Sequence, residues 1–517
     1  MSISIPDHSA GKRYAWKLGA NALGVPLAAF IQACSARLLG PTALGNFSFV
    51  TNAFAQLLSF LEAGSSEGLY TKLSQRPEER QLLRFYAVVV LLLFTLAITL
   101  TALVLLCGAS SWLFPSLETT VIWLGLAFAF LMWITQVVQR VVDCYGLTVA
   151  GEQRRIAVRG ISALLIGAML LVVPSIPIEL YFVYQLIILV LALLAWTNLL
   201  SKHGVLLWPR EKLSGELLTR YRREFSVFSG PLLVYSAVSL CTGFFDRWYL
   251  QRVAGAEHQG YFALGNQIAM FCFVFSGAMA PIFIRELSRA YARSDRVEMR
   301  RLFDTLIPRL FSVTGLLGLF VALNAEAITG LLGGEKFEHA APTVLVLALY
   351  PLHQTFGQLS GSLFYVTGQT KLYRNIGVTA MLAGVLLTVF LIGPANYGAL
   401  ELGSVGLAIK TVLLQLLVVF VQLWFNCRLI ETSFARHLLL QFAVIIGLAC
   451  SAGLARWISV TLFSTLIPQL LCSGGCYLLL SLALVVVKPR YFGFDNQELS
   501  NLRVKVLRIL KDELPRQ

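Results

Sequence analysis

Residues 84–107 read RFYAVVVLLLFTLAITLTALVLLC, and the only charge in this stretch is Arg84 at its first position. A helix rises 1.5 Å per residue, so about 20 apolar residues cross the hydrocarbon core of a bilayer, which is about 30 Å thick. Similar stretches recur along the whole chain of 517 residues, of which 57% are hydrophobic and 13% charged. The sequence therefore predicts an all-α integral membrane protein with about fourteen transmembrane helices.

The distribution of basic residues predicts how these helices thread the membrane. All but six of the 41 lysines and arginines fall in inward-facing segments, and the six exceptions are Arg37, Arg247, Arg252, Lys336, Arg456 and the mid-span Lys410. Basic residues in short loops remain in the cytoplasm because they resist translocation. With an even number of spans, we predict a multi-pass protein of the cell inner membrane with both termini in the cytoplasm. The net charge of +14 then reflects topology and not nucleic-acid binding.

Neither the cysteines nor any nucleotide-binding motif in the sequence predicts a cofactor. The nine cysteines are an odd number, and most of them lie within predicted spans. Cys472 and Cys476 are one helical turn apart but have no accompanying His or acid, so we predict neither a metal site nor a disulfide framework. There is no Walker motif, so ATP is not expected to be the direct energy source.

An internal repeat relates the two halves of the chain. ArgLeuLeuGly at 37–40, followed by GlyAsnPhe at 45–47, matches ArgValAlaGly at 252–255, followed by GlyTyrPhe at 260–262. A second match, Val149, Gly151 and Arg154 with Val366, Gly368 and Lys371, occurs at nearly the same offset. An even number of spans per repeat inserts both halves in one orientation, as in transporters that rock two lobes around a central site.

This repeat predicts the domain organisation. We expect an N-lobe of six spans at 1–200, an amphipathic cytoplasmic linker at 201–227, a C-lobe of six spans at 228–430, two further spans at 431–490 and an amphipathic cytoplasmic tail at 491–517. In the linker, the apolar residues at helical spacing are Leu213, Leu217, Leu218, Tyr221, Phe225 and Phe228. Linker and tail either lie on the inner membrane interface or bind a partner protein.

The turn motifs and the span plan resemble those of the polysaccharide-transporter family, the Wzx-type flippases. This family belongs to the multidrug/oligosaccharidyl-lipid/polysaccharide (MOP) exporter superfamily. The resemblance rests on ArgLeuLeuGlyPro at 37–41 with GlyAsnPheSer at 45–48, on AspArg at 246–247 ahead of GlyTyrPhe at 260–262, and on a plan of six plus six plus two spans.

The resemblance implies a MATE/MOP-like fold of two lobes around a cavity and a transport activity that is not enzymatic. The implied substrate is an undecaprenyl-pyrophosphate-linked oligosaccharide repeat unit, moved from the inner to the outer leaflet by alternating access for the synthesis of O-antigen, exopolysaccharide or capsule. Besides this lipid-linked oligosaccharide and membrane lipids, the implied partners are a polysaccharide polymerase and the chain-length machinery.

Polar side chains within the predicted spans are the candidates for substrate contact. A central Arg, Lys or Asp costs about 2.5–3.5 kcal/mol on insertion scales, so such residues should face a cavity or each other. Lys410 either holds a pyrophosphate or acidic sugar or belongs to a structural ion pair. The other candidates for the cavity are Arg247, Asp246, Arg140, Asp143, Asn52, Gln56 and Gln358. Arg140 and Asp143 are also close enough in sequence to neutralise each other.

Three further residues are candidates for coupling transport to a gradient of H⁺ or Na⁺. Glu62 and Glu67 either bind the coupling ion or pair with basic loop residues such as Lys72. His353 is either a proton relay or a packing residue.

Three alternative functions remain open from the residues. A cation-coupled MATE-type drug exporter typically carries an acid in its first span, but residues 18–36 contain none. A peptidoglycan lipid II flippase carries charges in that span, which are also missing here. A membrane polysaccharide polymerase or ligase generally needs a large outward loop, and no predicted outward loop exceeds about a dozen residues.

Overall fold

The computed structural model describes residues 10–209 and 213–494, and all regular elements within them are helical. Ten of the helices are long and apolar enough to cross a membrane, or eleven if the bent pair Gly215–Gly230 and Leu233–Val253 is one span. The prediction of an all-α, multi-pass membrane protein is confirmed. The predicted amphipathic tail lies almost entirely outside the described residues.

The number of fourteen spans stays a prediction. The difference between fourteen predicted spans and ten or eleven spanning helices has a simple origin. The sequence predicts separate spans at 15–39 and 44–68, whereas the structure has one helical segment, Ala10–Glu62, whose backbone is interrupted at Gly40. The sequence also predicts spans at 260–284 and 341–366, and each of these is divided between two shorter helices. Gly255–Phe271, Ala341–Leu347 and Tyr350–Val366 are too short to cross a membrane alone, and Val274–Ala292 carries the charged residues Arg285, Glu286 and Arg289.

The chain forms two compact units. Unit 1 comprises Met1–Ala263, Leu332–Phe337 and Met381–Leu407, and unit 2 comprises the rest. The helices of the first segment are α1 (Ala10–Glu62), α2 (Ser65–Gln75), α3 (Gln81–Leu106), α4 (Ser110–Leu113), α5 (Thr119–Cys144), α6 (Thr148–Val172), α7 (Ile178–Lys202) and α8 (Gly215–Val253). The predicted lobe boundaries stay a prediction.

The repeat motif supplies part of the core of unit 1. Phe47, from the first motif, packs its ring against Phe128 of α5 and against Tyr181 and Phe182 of α7, with ring centroids 4.8–5.3 Å apart. Each such aromatic pair contributes about 0.5–1.5 kcal/mol beyond its buried area. The motif is therefore a packing element as well as a turn.

The two repeat turns adopt the same backbone conformation and touch each other within unit 1. Gly40 has φ 70° and Gly255 has φ 87°. Residues with a Cβ atom rarely adopt this left-handed backbone conformation. A Cβ atom on Gly45 would meet the carbonyl oxygen of Ala256, and one on Gly260 would meet that of Pro41. The contact is reciprocal, because Ala256 occupies in the second motif the position that Pro41 occupies in the first.

The remaining helices follow the second repeat turn. They are α9 (Gly255–Phe271), α10 (Val274–Ala292), α11 (Arg296–Leu323), α12 (Ala325–Gly333), α13 (Ala341–Leu347), α14 (Tyr350–Val366), α15 (Thr370–Ile392), α16 (Gly403–Leu429), α17 (Phe434–Leu462) and α18 (Leu466–Val487). Within unit 2, α11 packs against α10, α14 and α17, and α17 packs against α18. The core of unit 2 includes the buried rings of Phe303, Phe311 and Phe356.

Several spans expose apolar side chains that only lipid can cover. On α3, Leu92 is 64% exposed and Leu103 51%, and on α18 Leu471 and Leu479 are 73% and 70% exposed. Soluble proteins rarely expose contiguous apolar surface of this extent. These faces therefore lie toward the hydrocarbon of the bilayer.

The second part of the predicted linker is the beginning of α8. Ser214 caps this helix by accepting a hydrogen bond from the backbone nitrogen of Leu217 at 3.2 Å. On the predicted apolar face, the Tyr221 and Phe225 rings are buried against Phe85 of α3, with centroids 5.5 and 5.3 Å apart. This face of the linker is therefore used for packing inside unit 1.

Candidate functional site

Two antiparallel helices of unit 1 carry the first group of candidate residues. Gln251 of α8 donates to the Asn46 side chain of α1 at 2.9 Å, and Gln56 lies against Gly243. This register brings Asn52 to the level of Asp246. The Asn52 Oδ1 atom is buried and has no hydrogen-bond partner among the described residues. A ligand hydroxyl or a water molecule would satisfy it.

Asp246 and Arg247 diverge from each other, as expected of adjacent residues on a helix. The Thr388 hydroxyl donates to Asp246 Oδ1 at 2.6 Å. Arg247 donates to Gln259 Oε1 at 2.9 Å, and Gln259 donates back to the Arg247 carbonyl at 2.9 Å. The guanidinium lies 4.3 Å from the centre of the Phe262 ring.

These contacts hold the Arg247 side chain in one orientation. A guanidinium has five N–H donors in a planar fork that matches phosphate and carboxylate groups. Contact with an aromatic face also stabilises a cation away from water. Neither Gln259 nor Thr388 was singled out from the sequence, because a lone Gln or Thr in an apolar helix carries no distinctive signal.

A second group of candidates surrounds the junction of α1 and α2. The Trp133 indole donates to Glu62 Oε2 at 2.7 Å. Arg140 forms an ion pair with Glu67 at 2.6 Å and also donates to the buried Ser66 hydroxyl. Glu62 and Glu67, the two acids considered for ion coupling, thus each have a donor from α5.

Two of the pairings considered from the sequence can be compared with the structure. Lys72 lies 3.5 Å from Glu224 of α8, so the basic loop residue pairs with a different acid from the one considered. Arg140 has its carboxylate partner Glu67 on a neighbouring helix, whereas the sequence offered Asp143 on the same helix. Asp143 has an interaction of its own.

Unit 2 contains the remaining three candidates. Lys410 of α16 is only 8% exposed and takes part in an interaction, and His353 of α14 is 7% exposed. The Nδ1 atom of His353 has no hydrogen-bond partner among the described residues. Gln358 is exposed, although most of its neighbours on α14 are buried. Gln358 therefore lies on the exposed side of α14 and His353 on its buried side, and the roles considered for both stay predictions.

A polar stripe on α16 was missed. Asn426 donates to the Ser360 carbonyl of α14 at 2.8 Å, and its own Oδ1 has no partner among the described atoms. Gln422 and Gln415 lie about one and three turns before Asn426 on α16, both next to glycines of α14. Their spacing, seven and eleven residues from Gln415, places all three on one face and was the available signal.

A carboxylate network in unit 2 was also missed. Asp304 of α11 accepts hydrogen bonds from His437 Nε2 at 2.9 Å and from the Thr432 hydroxyl at 3.1 Å. Arg300 and Arg436 lie 3.6 and 3.9 Å from its other oxygen. The network ties α11 to the beginning of α17. In residues 10–209 and 213–494, no group of three or more His, Cys, Asp or Glu residues is arranged to hold a metal ion, and the Asp304 network is no exception.

Comparison with known proteins identifies the fold. No family model matches the sequence, and no curated protein does so. The solved structure of the lipid II flippase MurJ in an inward closed conformation is 11% identical, with a TM-score of 0.63 over 90% of this chain and 98% of that one.

Two transporter structures are similar as well. An inward-facing multidrug resistance MATE family transporter of the MOP superfamily is 16% identical, with a TM-score of 0.58 over 80% of this chain and 94% of its own. An outward-facing MATE family transporter is also 16% identical, with a TM-score of 0.53 over 83% and 98%. These proteins are transporters and a flippase and not enzymes, and the chain has the fold that they share.

Proposed function

We propose that this protein is a flippase for undecaprenyl-pyrophosphate-linked oligosaccharide repeat units. It moves them from the inner to the outer leaflet of the cytoplasmic membrane by alternating access, for polysaccharide biosynthesis. The repeat-turn motifs of the sequence support this specific substrate, and the fold supports a transporter of the MOP superfamily.

The proposal of a lipid-linked substrate rests on how much of the chain each solved structure matches. The lipid II flippase matches 90% of this chain, whereas the inward-facing drug transporter matches 80%. The wider match favours a flippase over a cation-coupled MATE-type drug exporter.

The charged groups inside the spans suit an anionic head group. Arg247 is held by Gln259 and Phe262, and Lys410 is buried on α16. Either cation can bind a pyrophosphate or an acidic sugar. In this proposal Asn52, Gln56 and Gln358 bind sugar hydroxyls, and Asp246, Arg140 and Asp143 orient the cations or contact the sugar.

The test is a leaflet assay on reconstituted vesicles. Purified protein and a lipid-linked oligosaccharide with a labelled sugar are incorporated, and the fraction of label accessible to an impermeant lectin is followed over time. Arg247→Ala and Lys410→Ala should each lower the initial rate about tenfold or more, because a lost charge-assisted hydrogen bond costs about 1.5–3 kcal/mol.

A matched charge-removing variant provides the control. Arg296 pairs with Glu431 at 2.9 Å on an exposed surface, and Arg296→Ala should retain the wild-type rate. If Arg247→Ala and Lys410→Ala both moved the lipid at the wild-type rate, with protein abundance unchanged, neither residue would belong to the proposed binding site.

A second candidate function is that of a lipid II flippase, because the lipid II flippase structure matches 90% of this chain. The assay is therefore repeated with lipid II in place of the oligosaccharide lipid. Faster movement of lipid II would replace the first proposal, and movement of a cationic drug but of neither lipid would favour an exporter.

Energy coupling and cellular context belong to the same proposal. Imposing a proton or a sodium gradient in the vesicle assay identifies the coupling ion, and Glu62→Gln, Glu67→Gln and His353→Asn test the three residues considered for coupling. We place both termini in the cytoplasm and expect a polysaccharide polymerase and the chain-length machinery to act on the exported product.

A further inference from the structure

The ends of α17 and α18 enclose a pocket that the proposed function does not use. Its volume is about 930 Å³, and it lies within unit 2 beside the short helical turn Pro489–Phe492. The residues that line it are Ser433, Ala435, Arg436, Leu439, Leu440, Ala443, Val487, Lys488, Pro489, Arg490 and Tyr491.

The mouth of this pocket is strongly basic. Arg436, Lys488 and Arg490 are all exposed, and no acidic side chain is among the described residues that line the pocket. The Asp304 carboxylate lies 3.9 Å from the Arg436 guanidinium. The same carboxylate also lies 3.6 Å from Arg300, so its single charge is shared and the mouth keeps a net positive charge. A bound anion would therefore be stabilised at the mouth.

The wall of the pocket is apolar and continues along the outside of α17. Leu439 is 68% exposed, Phe442 53% and Ile446 60%, and all three lie on one side of the helix. At 1.5 Å per residue, the row from Leu439 to Ile446 is about 10 Å long. On α18, Val487 beside the pocket is 69% exposed. A hydrocarbon chain can lie along this surface.

The position of the pocket places it at the membrane surface. Both α17 and α18 are apolar enough to span a bilayer, and the three cations stand where their apolar lengths end. Lipid head groups occupy this level, whereas acyl chains lie beside the apolar row. Basic pockets between transmembrane helices are typical binding sites for anionic lipid head groups.

We propose that this pocket binds one anionic glycerophospholipid of the surrounding membrane. The phosphate is bound by Arg436, Lys488 and Arg490, and an acyl chain lies along Leu439 and Phe442. A zwitterionic lipid fits less well, because its ammonium group would face three cations with no carboxylate on the pocket wall to bind it.

Native mass spectrometry of the full-length protein in detergent tests this proposal. Phosphatidylglycerol and phosphatidylcholine with the same acyl chains are added separately, and the Kd of the first bound lipid is measured for each. We expect phosphatidylglycerol to bind at least about tenfold more tightly. The variant R436Q/K488Q/R490Q should lose about tenfold in affinity for phosphatidylglycerol and little for phosphatidylcholine.

A variant with the same change in charge is the control. R222Q/R223Q/R293Q removes three exposed arginines that do not line the pocket, and its affinity for phosphatidylglycerol should stay within about threefold of wild type. Thermal unfolding of each variant shows whether it is folded, and the single variant R490Q serves if the triple variant is not.

Two results would overturn the proposal. Equal affinity of the pocket variant and the control variant for phosphatidylglycerol would exclude the pocket as the site. Tighter binding of undecaprenyl phosphate than of phosphatidylglycerol, lost in the pocket variant, would assign the pocket to a polyprenyl carrier lipid. Both results are independent of the transport assay.

Discussion

A methyl group at Gly45 tests the contact between the two repeat turns. In Gly45→Ala the new Cβ would lie 2.7 Å from the Gly260 nitrogen and closer still to the Ala256 carbonyl oxygen. These are backbone atoms of a helix, so they cannot rotate away as a side chain would. The variant can fold only if α1 and α9 move apart at this point.

The expected size of the effect follows from two opposing contributions. Overpacking costs about 1–3 kcal/mol, and contact with rigid backbone puts this site at the upper end of that range. Replacing a helical Gly by Ala raises the free energy of unfolding by about 0.5–1 kcal/mol. We therefore expect Gly45→Ala to lower the free energy of unfolding by about 2 kcal/mol.

Gly453 in α17 provides a matched control, because a Cβ there would meet nothing within 4 Å. Gly453→Ala should leave stability unchanged or raise it by up to about 1 kcal/mol. Both variants are unfolded with dodecyl sulfate in mixed micelles, and the fluorescence of the nine tryptophans reports the transition. If the two variants unfolded at the same dodecyl sulfate fraction, the contact between the turns would be refuted.

Three further predictions use the same unfolding measurement. Trp133→Phe removes the donor to the Glu62 carboxylate and should cost about 1–3 kcal/mol, so an unchanged midpoint would contradict the hydrogen bond. A double-mutant cycle on Glu67 and Arg140 should give a coupling energy below about 1 kcal/mol, because the Glu67 side chain is 57% exposed; a value of several kcal/mol would show a desolvated pair. Tyr221→Ala should cost about 3–5 kcal/mol through loss of its buried ring, and Tyr221→Phe much less, so similar losses in both would rule out packing as the cause.

The membrane fold was predictable because its signals are local. The length of each apolar run determines whether a helix can span the bilayer, and this holds without knowledge of its neighbours. The repeated glycines were informative for the same reason, since Gly40 and Gly255 both adopt the positive φ that the turn requires. The division of predicted span 260–284 was not predictable, because the sequence stays apolar across its break at Cys272 and Phe273. The division of span 341–366 did have a local signal, since Pro351 stands in the first turn of α14 and the hydropathy falls there.

The partners of the polar residues were harder to predict than their positions. A sequence shows that Glu62, Arg140 or Asp246 lies in a span, but a partner depends on how each helix is rotated about its axis. Arg140 illustrates this, since an acid one turn away on its own helix was available and its ion pair is nevertheless formed with Glu67. The stripe on α16 differs, because its spacing alone placed Gln415 and Asn426 on one face.

The reciprocal packing of the repeat turns has a consequence for how this chain can change. Gly45 contacts Ala256, and Gly260 contacts Pro41, the residue at the equivalent position of the first motif. The same contact therefore occurs twice, as in the isologous interface of a symmetric homodimer. In a dimer, a single mutation alters both copies of such an interface at once. In a fused chain each half mutates alone, so a larger residue on one side is not accompanied by an adjustment on the other. The small residues at this junction are thus constrained from both sides, because each turn leaves room only for the other turn as it now stands.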